Sequence, residues 1–89
     1  MKDMIQLTES GGTLGFTIQP AILLKLDLSV KDLVTIRILD NKGEQLAEFA
    51  RPLKKMGKGS FGVTIRHYVV KKLELNLKDV IPVDILKPG

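Results

Sequence analysis

One stretch of this chain occurs twice. Residues 15–40 read GFTIQPAILLKLDLSVKDLVTIRILD, and residues 62–87 read GVTIRHYVVKKLELNLKDVIPVDILK. At an offset of 47, ten pairs are identical: Gly15/Gly62, Thr17/Thr64, Ile18/Ile65, Lys25/Lys72, Leu26/Leu73, Leu28/Leu75, Lys31/Lys78, Asp32/Asp79, Ile38/Ile85 and Leu39/Leu86. Most other positions exchange like for like, as in Asp27/Glu74, Ser29/Asn76 and Ile36/Val83. An internal repeat constrains architecture before any local propensity does, because one unit packed against its copy sets the topology. Two copies here, residues 1–44 and 45–89, predict one domain over residues 1–89 with a pseudo-twofold arrangement.

Each copy carries the same local signals. Met4, Ile5 and Leu7 mark a short strand over residues 3–8, followed by a turn at Ser10–Thr13 with paired glycines. Leu14, Phe16 and Ile18 alternate with polar or small residues, the period of a half-buried strand. Pro20 fits the first turn of a short helix over about 20–26. That helix is apolar nearly all round, which predicts deep burial or an interface. Ser29–Asp32 has the form of a capped turn in which Asp32 reaches back to the backbone. Residues 33–39 alternate as a strand, and Asp40–Gly43 is a polar turn. The second copy follows suit. Residues 45–50 form a strand, although their Ala, Glu, Gln and Leu also suit a helix, and Arg51–Pro52 ends any helix. Lys54–Ser60 is a basic, glycine-punctuated loop, and Gly59–Phe61 aligns with Gly12–Leu14. Then come a strand over 61–66, a helix over 67–73, a turn over 76–79 and a strand over 80–86. Pro82 in the last strand lacks a ladder donor, so it is expected to face outward or lie at an edge or bulge.

The expected fold is therefore mainly β: strand–strand–helix–strand twice, closing into a small six-stranded barrel with two short helices. The strand–helix–strand connections are long enough for parallel crossovers. With 44% hydrophobic residues but no Trp and only three Phe, the core must be built from Ile, Leu and Val. The absence of cysteine excludes disulfides and thiolate metal sites. No apolar run approaches a membrane span, and MKDMIQLTES lacks the pattern of a signal peptide, so a cytoplasmic protein is expected.

Charge divides the two halves. Residues 1–47 hold five Lys/Arg and six Asp/Glu, a balance of −1, whereas residues 48–89 hold nine and four, a balance of +5. A one-sided excess of this kind points to a polyanion partner. Arg51, Lys54, Lys55, Lys58, Arg66, Lys71 and Lys72 are the candidate DNA-binding residues. Their cations would neutralise phosphates without reading bases, and Gly57 and Gly59 would let the loop approach a backbone closely. Catalytic signals are missing. His67 is the only histidine, and there is no nucleophile triad, HExxH, GxGxxG or GxxxxGK[ST]. Asp27, Asp32, Glu74 and Asp79 read as turn and capping residues. No enzyme activity, cofactor or metal is expected.

Two stretches resemble a known group. Gly12–Ile18, a helix ending Lys25–Leu26, and Leu28–Ile36 look like the AbrB/SpoVT-type swapped-hairpin DNA-binding domain, and Gly59–Ile65 with Lys78–Ile81 resembles it more strongly. The resemblance covers about 12–40 and 59–86. It implies a tandem fold of the dimer type in one polypeptide, related to cradle-loop and double-psi β-barrels, and a non-enzymatic DNA-binding module such as a transcriptional regulator. The chain departs from the family pattern where Gln19 and Arg66 replace the usual proline, and where Lys31–Asp32 and Lys78–Asp79 replace a Gly-Asp turn. Family helices often carry basic residues toward DNA. Leu23 and Leu24 stand there in the first copy, Val70 and Lys71 in the second, so DNA contact would fall to the second half. The alternative reading is a double-psi-type barrel acting as an adaptor, with a protein partner or self-association through helix 20–26. A reconstructed barrel scaffold without activity is compatible with the same features.

Overall fold

The computed structural model describes residues 1–88. It is mainly β, with two curled antiparallel sheets and two short helices. The strands are β1 (Lys2–Gln6), β2 (Thr8–Ser10), β3 (Thr13–Thr17), β4 (Leu33–Leu39), β5 (Gln45–Pro52), β6 (Lys54–Gly57), β7 (Ser60–Thr64) and β8 (Val80–Leu86). Helix α1 (Pro20–Lys25) follows β3 and α2 (His67–Leu73) follows β7. One sheet has the order β1-β8-β4-β5 and the other β2-β3-β7-β6.

Eight strands stand where six are expected. The extra two arise because the first strand of each copy bends and enters both sheets. The bends fall at Leu7 and Leu53, both buried. Neither bend leaves its backbone unpaired. Leu7 N–H donates to the Asp79 carbonyl at 2.8 Å, and its own carbonyl accepts from Lys78 N–H at 2.9 Å. Leu53 does the same with Asp32 and Lys31, both at 2.8 Å. Buried backbone groups must find partners somewhere, and here the other copy's Lys-Asp turn supplies them.

The arms preceding β3 and β7 align at an offset of 46, not 47. Gln6 opposes Val80 as Pro52 opposes Leu33, and Thr8 opposes Gly15 as Lys54 opposes Gly62. A β-bulge between Lys55 and Gly57 adds the missing residue. Residues 45–52 are strand and not helix, and Lys54–Gly57 is an edge strand where a loop is expected. Cross-strand pairing decides both cases, since β5 lies against the whole length of β4 and β6 pairs with β7. All pairings are antiparallel, so the expected parallel crossovers are absent from both sheets: β3 and β4, like β7 and β8, belong to different sheets. Pro82 lies in an interior strand, opposite Met4 and one residue beyond the last β4–β8 pair, so its missing donor breaks no bond to β4.

The identities within the repeat now have causes. Gly15 and Gly62 sit where β3 and β7 cross, in the pairs Gly15–Thr64 and Thr17–Gly62. A Cβ on Gly15 would stand 2.5 Å from the Val63 carbonyl oxygen, and one on Gly62 would overlap the Phe16 carbonyl and meet Thr17 Cα at 2.8 Å. Asp32 Oδ2 accepts Ser29 N–H and Asp79 Oδ2 accepts Asn76 N–H, each at 2.9 Å, as the capped-turn pattern predicts. Both helices end in a left-handed residue, Asp27 and Glu74 at φ 53°. The following amides reach back to Leu23 and Val70, a Schellman closure with a carboxylate residue where glycine is usual. Lys31 and Lys78 are left-handed too, at φ 78° and 72°. Phe16, Ile36, Val63, Val69, Val83 and Ile85 form the centre of a core drawn from both copies.

Two expectations follow. Gly62→Ala should abolish cooperative folding, because backbone cannot move aside for the new methyl, while Gly57→Ala, which has open space, should melt close to the parent. Lys31→Gly and Lys78→Gly should each stabilise the fold by up to about 1 kcal/mol, the left-handed strain exceeding glycine's extra entropy cost, as read from denaturant midpoints.

Candidate nucleic-acid interface

The seven basic residues of the second half divide among three places. Arg51 and Arg66 lie together. Arg66 Nη2 donates to the Ala50 carbonyl at 3.3 Å, the residue before Arg51, and Arg51 Nη2 donates to Thr64 Oγ1 at 2.9 Å. Lys54 and Lys55 continue from them along β6, the edge of the second sheet, opposite Gly62 and Phe61. Lys58 stands in the turn after β6, next to Gly59 at φ 79°. This turn closes toward α1: Gly59, Ser60 and Phe61 share a groove of about 490 Å³ with Pro20, Leu23 and Leu24. Lys71 and Lys72 occupy the last turn of α2. The residues beyond them, Leu73 and Leu75, pack in a depression with Asp40, Asn41 and Leu46. The fold thus joins Arg51 with Arg66 and strings Lys54, Lys55 and Lys58 along one edge, while Lys71 and Lys72 sit on a separate element.

None of the seven makes an ion pair among the described residues. The cations that do are elsewhere: the N-terminal ammonium with Asp84 at 2.9 Å, Arg37 with Glu48 at 2.6 Å, and Lys87 with Asp27 at 4.0 Å. Arg37 belongs to a row across the first sheet in which Lys2 opposes Asp84, Asp84 opposes Arg37 and Arg37 opposes Glu48. Alternating signs leave that face nearly neutral, and opposite charges in register favour the pairing itself. The charge excess of the chain therefore stays on β6, its flanks and α2.

Arg51 has an unusual setting. It leaves β5 on the side that carries buried Phe49 and Leu53. Its Nε is buried and has no hydrogen-bond partner. The 46-residue offset makes its first-half counterpart Ile5, which is only 5% exposed. Thr64 is buried while its repeat partner Thr17 is exposed. Sequence comparison overlooks the Ile5/Arg51 pair and the Thr64 contact, because the arms share almost no identities and the bulge shifts their alignment by one. The Leu7/Leu53 match was the one signal that could have revealed it.

The remaining sequence candidates are structural or exposed. His67 is exposed at the start of α2. Asp32 and Asp79 cap turns, and Asp27 and Glu74 close helices. Helix α1 is not uniformly apolar toward the core: Ile22 is buried, whereas Leu24 is 83% exposed. Its six residues form less than two turns, too short to hide every side. No helix among the described residues is long and apolar enough to cross a membrane.

Arg51→Ile copies the first half into the second. It should raise the unfolding free energy by about 1 kcal/mol, the order of cost of a buried donor without an acceptor, as measured by urea denaturation.

No protein-family model, curated protein or solved structure matches this chain.

Proposed function

We propose that the protein is a non-enzymatic DNA-binding module whose basic second half contacts the phosphate backbone. The observation that carries this reading is the set of seven cations that are unpaired among the described residues and concentrated in one copy. An intramolecular ion pair would have to be broken before a phosphate could be neutralised, and here none stands in the way. The bent, repeat-related strands support a six-path barrel with pseudo-twofold symmetry, of the cradle-loop kind and double-psi-like. The swapped-hairpin resemblance fits the same arrangement, in one chain and with only one copy equipped for DNA. The likeness to AbrB/SpoVT-type domains suggests transcriptional regulation as the role.

A random-sequence duplex should bind with nanomolar-to-micromolar Kd at about 50 mM salt and weaken steeply toward about 200 mM, through counterion release. Lys54→Glu, Lys55→Glu and Lys58→Glu together should abolish binding without unfolding, since all three side chains are exposed. Failure to shift any duplex at about 50 mM salt would sink the proposal.

A second reading rests on Leu24. An exposed leucine on the rim of an apolar groove with Pro20, Leu23 and Phe61 is the feature of an adaptor surface. Sizing of the free protein before and after Leu24→Glu separates self-association from a monomer.

A further inference from the structure

The two copies hold the same backbone position with opposite chemistry, and the difference is costly. At the core-facing margin of the first arm stands Ile5, buried and apolar. At the matching place in the second stands Arg51, with its Nε buried, without an acceptor, and with a single described bond, from Nη2 to Thr64 Oγ1 at 2.9 Å. The first copy demonstrates that the scaffold closes without a cation there. Gln19 of the first copy is replaced by Arg66, whose Nη2 donates at 3.3 Å to the carbonyl of Ala50, the residue before Arg51. Neither guanidinium has a carboxylate partner among the described residues. Together the two guanidinium groups have one hydroxyl and one carbonyl as acceptors among the described residues, fewer than their donors. Guanidinium forks match the oxygen spacing of phosphate and are more weakly hydrated than ammonium groups.

We propose that Arg51 and Arg66, positioned by Thr64 and the Ala50 carbonyl, form a discrete site for a phosphate-type oxyanion. It rests on the reading of the second half as a polyanion-binding surface, and narrows that reading from diffuse charge to one built pair. A phosphate at this pair accepts from guanidinium donors that Thr64 and the Ala50 carbonyl leave without acceptors. The same chemistry serves a phosphodiester backbone or a free phosphate group.

The test follows the arginine side-chain Nε–H and Thr64 amide signals by NMR, first with inorganic phosphate and then with a short random-sequence duplex. Arg51→Ile and Arg66→Gln are the variants, each copying the first half, and circular dichroism melts confirm that both fold. Phosphate should shift the Arg51, Arg66 and Thr64 signals of the parent, and Arg51→Ile should remove the response of Thr64. Duplex affinity should fall about tenfold or more in either variant, the order expected for losing a charge-assisted contact. Phosphate binding without duplex binding supports the site with free phosphate as its source, and removes the DNA reading. Duplex binding that is equally tight in parent and variants, with no arginine signal moved by phosphate, overturns the site and leaves the DNA reading standing. Silence toward both ligands overturns both.

Discussion

Every bend in this structure is closed by the other half of the chain. Leu7 exchanges two backbone hydrogen bonds with Lys78 and Asp79, and Leu53 exchanges two with Lys31 and Asp32. Neither half can turn its first strand from one sheet into the other and keep its peptide groups paired unless the opposite Lys-Asp turn is in place. The turns are in turn set by Asp32 and Asp79, whose carboxylates accept the Ser29 and Asn76 amides. The sheets depend on this exchange, because β1 pairs with β8 and β5 with β4, each an arm of one copy against the last strand of the other. The crossing of β3 and β7 brings the copies together a second time, at a separation that only Gly15 and Gly62 allow.

This mutual scaffold leaves the surface free to differ. Charges on the first sheet are spent on one another, in the row Lys2, Asp84, Arg37 and Glu48. Arg51, Lys54, Lys55, Lys58, Arg66, Lys71 and Lys72 of the second half have no such partners among the described residues. Gene duplication followed by divergence would yield this division: positions that hold turns, bends and crossings stay alike, and positions facing outward are released. Arg51 is the exception that carries most meaning, since it changes a position at the core margin and not on the open surface. A substitution that leaves a buried donor unpaired is one that folding alone would not select.

Much of this was legible beforehand. The strands 33–39 and 80–86 and the helix 67–73 coincide with the observed β4, β8 and α2, because alternation and apolar spacing are local properties of the chain. The Asp32 and Asp79 turns were readable for the same reason. The sheet switch at Leu7 and Leu53 was not, because nothing local marks where a strand leaves one sheet for another. The basic residues were all visible as a charge excess, but not their division into an Arg51–Arg66 pair, a β6 edge and the end of α2. Proximity of Arg51 to Thr64 arises from packing β5 beside β7, thirteen positions apart along the chain.

By itself, the sequence determined that one unit is used twice, that it is built of strands with a short helix, and that only the second copy is basic. These follow from periodicity, turn chemistry and composition, which need no knowledge of the partner surfaces. Tertiary structure alone decided which strands pair, where each arm bends, that the arms align at 46 residues and not 47, and that Arg51 occupies the place of Ile5. Those outcomes depend on satisfying buried backbone groups across the two copies, a condition set between distant segments and therefore invisible in either one.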